Sequence, residues 1–155
     1  MEDCVFCRIV RGEISAYKVW EDEKHIAFLS IFPNTSGFTV VAVKNHKPSY
    51  AFANDDKTLS DLVLATKKVA LLIDKAFEDV GRTGMFFEGY GVDHLHAKLF
   101  PMHGTPKIGE WKQLASNIDK YFEKYEGYLS SHNGKRASDD ELKRVAEKIR
   151  KAGGS

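Results

Sequence analysis

The sequence predicts an α+β fold, a mostly antiparallel sheet of about five strands combined with one long helix and further helices at its C-terminal end. Two observations carry this expectation. Short segments alternate apolar and polar residues with a period of two, and turn clusters separate them. Between residues 58 and 77 the period changes, with apolar residues recurring every three or four positions. Strands with helices inserted between them, rather than a regular strand–helix alternation, point to α+β.

In order along the chain, Tyr17-Lys-Val-Trp-Glu-Asp22 and His25-Ile-Ala-Phe-Leu-Ser30 read as two strands joined by a tight acidic turn. The turn cluster Pro33-Asn-Thr-Ser-Gly37 precedes Phe38 to Val43, the most β-prone run of the chain, which Lys47-Pro48 closes. Thr58 is the predicted N-cap of the long helix. Its buried stripe runs through Leu59, Leu62, Val63, Thr66, Val69, Ala70, Ile73 and Phe77, and Gly81 and Gly84 end it. Met85 to Glu88 is a short apolar strand, and His94 to Phe100 a further strand that Pro101 terminates. Glu110 to Tyr125 is expected to be helical, with Trp111, Leu114, Ile118, Tyr121 and Phe122 on one face. Ser138-Asp-Asp-Glu141 is a capping box that opens a last helix through Leu142, Val145, Ala146 and Ile149, with residues 151–155 fraying.

Composition narrows the function classes. The 155 residues include 10 Phe, 6 Tyr and 2 Trp, enough apolar area for one folded domain without staples. With 23 Lys+Arg against 22 Asp+Glu there is no cationic surplus for non-specific nucleic-acid binding. No apolar run reaches the ~18 residues of a membrane span. The acidic start Met1-Glu2-Asp3-Cys4 is unlike a signal peptide, so a cytoplasmic location is expected. There, Cys4-x-x-Cys7 is a metal clip or redox pair sooner than a structural disulfide.

The run His94-Leu-His-Ala-Lys98 carries the chemistry. In a strand, His94, His96 and Lys98 project to one face and Leu95, Ala97 and Leu99 to the other. The three polar groups then span ~13 Å at ~3.3 Å per residue, a cationic shelf bearing a nucleophile and suited to an anion. Gly89 and Gly91, just before it, permit a turn whose N–H groups converge on phosphate oxygens, although a Gly-Tyr-Gly turn also simply joins two strands.

Several pieces in order resemble the histidine triad family. They are Cys4-Val-Phe-Cys7-Arg-Ile-Val-Arg-Gly-Glu13, Tyr17-Lys-Val-Trp-Glu-Asp22, Ala27-Phe-Leu-Ser-Ile-Phe-Pro33, Gly37-Phe-Thr-Val-Val-Ala-Val-Lys44-Asn-His46 and His94-Leu-His-Ala-Lys-Leu-Phe-Pro101. The resemblance covers residues 4–104, an expected catalytic core of residues 1–104, with 105–155 a helical extension of the same domain. It implies a nucleotide hydrolase acting at an α-phosphate of a dinucleoside polyphosphate or nucleoside phosphoramidate. By position, His96 matches the family's nucleophile, which forms a nucleotidyl-histidine intermediate. A nucleotidyltransferase with a non-water acceptor, or a nucleotide-binding module without turnover, are the alternatives.

The chain also departs from the family pattern. Lys98 replaces the third histidine; it keeps the positive charge as a phosphate clamp, but its ordinary pKa near 10.4 suits it poorly to shuttling a proton. His103 is a candidate to protonate the leaving group. Ser30 stands where much of the family has a carboxylate for the ribose hydroxyls, and Ile31 is expected against the base or in the core. The loop from Glu88 to Asp93 is short, so backbone near Gly91 and Val92 has more of the phosphate to hold. Gly89, Gly91, Val92, Ser30, Ile31 and His103 are thus the expected nucleotide-binding set. The resemblance further implies a structural zinc ion on Cys4, Cys7, His46 and His94, against a plainer reading in which the cysteines are buried apolar residues of a short N-terminal helix. It implies a homodimer as well, joined through sheet edges or the long helix.

Overall fold

The computed structural model describes residues 4–105, 107, 109–111, 113, 121, 123–125 and 135–154. Five strands, β1 (Lys18–Glu21), β2 (His25–Leu29), β3 (Thr39–Val43), β4 (Val80–Phe86) and β5 (His96–His103), form one antiparallel sheet in the order β1-β2-β3-β5-β4. Among the described residues the α-helices are α1 (Val5–Val10), α2 (Asp56–Ala76) and α3 (Asp139–Ala152), with a short 3-10 helix at Ala51–Ala53. The α+β expectation holds.

The strand alternation sorts the sheet into two unequal layers. Ala27, Leu29, Val41, Val43 and Leu99 face α2 and α3, where they meet Leu62, Val69 and Ile73 of one helix and Leu142, Val145, Ala146 and Ile149 of the other. On the reverse face Ile26, Phe28, Phe38, Val40 and Ala42 form a thinner cluster capped by Phe6 of α1. A helix of six residues is not stable alone. Phe6 holds it by packing edge-on to Phe28 with ring centroids 5.3 Å apart.

Four boundaries differ from the sequence expectation. The cap of α2 is Asp55, not Thr58: its carboxylate accepts from the Thr58 N–H at 2.9 Å and from the Thr58 hydroxyl at 2.7 Å. Gly81 and Gly84 do not end α2, which stops at Ala76, but lie inside β4. A Cβ on Gly84 would come within 2.8 Å of Met102 Cε, so a side chain there would have to displace the end of that methionine. β4 therefore starts at Val80 rather than Met85. β5 starts at His96 and runs through Pro101 to His103. Its partners on β3 end opposite Leu99, so proline's missing N–H deprives no β3 carbonyl.

The capping box of α3 forms as expected, Ser138 Oγ accepting from the Glu141 N–H at 3.3 Å. Most of the helix expected over 110–125 lies outside the described residues. Among the described residues, no helix is long and apolar enough to cross a membrane.

Candidate active site and metal centre

The site lies on the thinner face of the sheet, under α1. β5 sits between β3 and β4, so His96 is flanked by Ala42 and Lys98 by Val40 and Phe86. His94 precedes the strand proper. It is fully buried, and the backbone around it is held by Leu95, whose N–H donates to the Lys47 carbonyl and whose carbonyl accepts from Val43.

Hydrogen bonds assign both imidazole tautomers. His94 Nε2–H donates to the Val43 carbonyl at 2.6 Å, which leaves the Nδ1 lone pair facing Cys4 Sγ at 3.3 Å and Cys7 Sγ at 3.5 Å. His46 Nδ1 lies 3.5 Å from Cys7 Sγ, and the four donor atoms all lie within 4.8 Å of one another. A tetrahedral zinc ion with bonds of ~2.0–2.3 Å separates its ligands by roughly 3.4–3.8 Å, so these atoms already stand near a zinc tetrahedron. Burial and the adjacent Cys4 push the Cys7 thiol up, a cost that a divalent cation relieves by binding the thiolate. The donor set fits such an ion.

His96 Nδ1–H donates to the His94 carbonyl at 2.6 Å, which directs an unprotonated Nε2 away from the backbone. Burial holds the His96 imidazole below the usual histidine value. Lys98 and His94 push it the same way, while the backbone bond and Glu88 oppose them. These balances favour the neutral ring. Phe6 meets it at 90° with centroids 5.2 Å apart, and meets His94 at 5.7 Å. Three residues, His96, His94 and Phe6, fix one another.

The loop between β4 and β5 enters this face. Gly89 and Gly91 adopt φ of +76° and +90°, in the left-handed region that other residues avoid. Ser49 pins the loop, its hydroxyl donating to the Gly89 carbonyl at 2.9 Å and its N–H to Asp93 at 3.0 Å. That N–H holds the Asp93 carboxyl below the usual range. Val92 packs on the thinner cluster. Ser30 continues the His96 face of β2, and its Oγ accepts from the Phe32 N–H at 3.2 Å, so it is already engaged in a turn. Ile31 is half-exposed beside it, and its carbonyl accepts from Ala137 ahead of α3.

Two expected residues stand differently. His103 is not at the site: Nδ1 meets Asp79 at 3.0 Å, Nε2 donates to the Ser36 carbonyl at 2.9 Å, and the ring packs on Phe77. Strand parity puts it on the α2 side, an odd number of residues from His96. Lys98 shares the His96 face but is no solitary cation; its ammonium pairs with Glu88. Glu88 was missed by the sequence reading, as was Phe6. The signal for Glu88 lay in the hairpin register, since Phe86 opposes Lys98 and Glu88 is its diagonal neighbour. A separate cleft on the α2 side, with Lys24, His25, Lys57 and Asp61 in its lining, has its two lysines sharing one carboxylate, Lys24–Asp61 at 2.9 Å and Lys57–Asp61 at 3.3 Å.

Comparison with known proteins decides the family. The HIT domain model matches residues 11–105. The chain belongs to the HIT, or histidine triad, family. A HIT-like protein of Mycoplasma genitalium is 32% identical over 134 residues, covering 84% of this chain and 94% of the relative. The adenosine 5′-monophosphoramidase of Schizosaccharomyces pombe is 31% identical over 98 residues, 63% of this chain and 73% of that protein. Among solved structures, a hypothetical histidine triad nucleotide-binding protein of Sulfolobus tokodaii superposes with a TM-score of 0.71 at 27% identity, covering 96% of this chain and 91% of the other. The HIT match spans β1 to β5 and so includes the site's strands and loop.

Proposed function

We propose that this HIT protein is a nucleotide hydrolase acting at an α-phosphate through a nucleotidyl-His96 intermediate. The carrying observation is the buried, neutral His96, its Nδ1–H tied to the His94 carbonyl so that Nε2 presents a lone pair. Nε2 attacks the α-phosphorus, a P–N bond forms, and the bond to the leaving group breaks as that group takes up a proton. Water then attacks the same phosphorus, the P–N bond breaks, and the nucleotide leaves. Backbone N–H groups near Gly91 and Val92 and the Lys98 ammonium are the available stabilisers of the phosphoryl oxygens. Ser30 and Ile31 form the nucleoside side of the site. The phosphoramidase activity named for the S. pombe and Candida albicans relatives supports a nucleoside phosphoramidate as substrate.

Cys4, Cys7, His46 and His94 would hold a zinc ion whose contribution is structural, fastening α1 to the strand that bears the nucleophile. Among the described residues no strand pairs with the outer side of β4, which supports an edge-to-edge homodimer.

The test is chromatography of adenosine 5′-phosphoramidate and diadenosine tetraphosphate incubated with the natural chain and with His96→Ala, with and without added phosphate. AMP from the natural chain and none from the variant is the expected result. A phosphorylated nucleotide appearing only when phosphate is supplied would make the enzyme a transferase. Equal product from both proteins would remove His96 from the mechanism.

A further inference from the structure

Lys98 was expected to offer its charge to a phosphate, yet the charge is already answered. Its ammonium pairs with the Glu88 carboxylate, and the two side chains are only 14% and 2% exposed. The other Glu88 oxygen accepts from the Tyr125 hydroxyl, so the residues after the HIT match reach into the site. Tyr125 also stacks on Tyr90 of the glycine loop, with centroids 5.6 Å apart. Phe86 and Phe100 lie stacked at 4.7 Å beside the pair. The pair therefore stands in a walled, poorly solvated place, where salt screens charge weakly.

We propose that Glu88 is a specificity-determining residue, which cancels the charge of Lys98 beside His96 and so selects leaving groups that are uncharged or cationic over a polyphosphate chain. This rests on the hydrolase reading for its catalytic consequence, but its electrostatic content stands without turnover. A bare lysine would reward each further phosphate brought to this face. A lysine–glutamate pair has no net charge: it offers N–H donors to the α-phosphate, while a second or third phosphate meets a buried carboxylate. An uncharged or cationic leaving group meets no such repulsion from the carboxylate's charge. At the effective dielectric near a protein surface, removing one charge a few ångströms from a ligand shifts a binding ratio by about tenfold or more.

The experiment measures calorimetric affinities for AMP and ATP in low-salt, magnesium-free buffer, using the natural chain, Glu88→Gln, Glu88→Asp and Lys98→Gln, each first checked by thermal melting. Glu88→Gln is expected to raise the ATP-to-AMP affinity ratio about tenfold. Glu88→Asp, which keeps the charge, should leave the ratio within about twofold, and Lys98→Gln should lower it. The kcat/KM ratio of diadenosine tetraphosphate to adenosine 5′-phosphoramidate should move with the binding ratio. An unchanged ratio in a folded Glu88→Gln, or the same shift in Glu88→Asp, overturns the inference and leaves Glu88 a structural partner of Lys98. If Glu88→Gln does not fold, Lys98→Gln decides, since it must move the ratio the opposite way. A ratio that shifts as expected while no AMP is released from any substrate upholds Glu88 as a binding determinant and removes the hydrolase reading instead.

Discussion

Phe6 is the residue through which the thinner layer holds His96, and replacing it with alanine separates that role from simple stability. Its side chain is 8% exposed and touches Phe28, His94 and His96 edge-on. A buried phenylalanine removes roughly 150–200 Å² from water, worth about 4 kcal/mol at ~25 cal/mol per Å². Alanine keeps the Cβ and α1 can settle inward, so the net loss is about 3 kcal/mol. For a chain of this length that lowers Tm by about 6–12 °C. The matched control is Ile149→Ala, fully buried on the opposite face of the sheet and expected to cost about 2–5 kcal/mol. Both variants are compared by thermal melting, by kcat for AMP release at a temperature where each is folded, and by the NMR shifts of the His96 ring. Phe6→Ala should lower kcat and move the ring shifts, and Ile149→Ala should do neither. Equal effects of the two variants on kcat, or an unmoved His96 ring in Phe6→Ala, would refute the assignment of Phe6 as the support of His96.

Further expectations follow from the other contacts. Asp55→Ala removes both bonds to Thr58 and should destabilise the fold by about 1 kcal/mol, a shift readable in urea midpoint at constant slope, whereas Thr58→Val should leave the backbone cap in place. The Asp139 carboxyl is held below its ordinary value of 3.8 by hydrogen bonds from Tyr17 and Arg136. Because the folded-state value is the lower one, its contribution is complete above 3.8 and disappears as pH falls through the depressed value; Asp139→Asn should flatten that acid limb of a stability–pH curve, and an unaltered limb would count against the linkage. Elemental analysis should find about one zinc per natural chain and much less in Cys7→Ser, with a strong chelator lowering Tm of the natural chain only.

Local pattern made much of this molecule legible. Period-two alternation placed β1 and β2, which pair across a short turn, and a β-prone run placed β3. The three-and-four stripe placed α2, whose inward positions Leu62, Thr66, Val69 and Ile73 are all buried. The resemblance supplied the four residues of the metal cluster, and the structure brings them together from α1, the segment after β3 and the approach to β5. What local pattern missed was set by partners far along the chain. Gly81 and Gly84 look like breaks until β5 is laid beside them, and Pro101 looks like an end until the shorter length of β3 is known. Lys98 looks like a free cation because its counter-charge enters from the neighbouring strand's exit, and His103 looks available because chain proximity hides strand parity.

The seat of α3 bears on how the chain is assembled during synthesis. Leu142, Val145, Ala146 and Ile149 belong to the same buried cluster as Ala27 and Val41. Tyr17 bonds to Asp139, Ala137 to the Ile31 carbonyl, and Arg150 to the Lys18 carbonyl, contacts spanning 106 to 132 residues of chain. The β1–β2 hairpin is thus completed by a helix made long after it. A nascent chain that has emerged only as far as β5 has His96 and the Cys/His cluster, and α2 on the far side of its sheet, yet leaves bare the part of that core which α3 covers, a surface for misassembly or chaperone capture. Full burial of the core then waits on the synthesis of α3, well after the residues of the candidate site have been made.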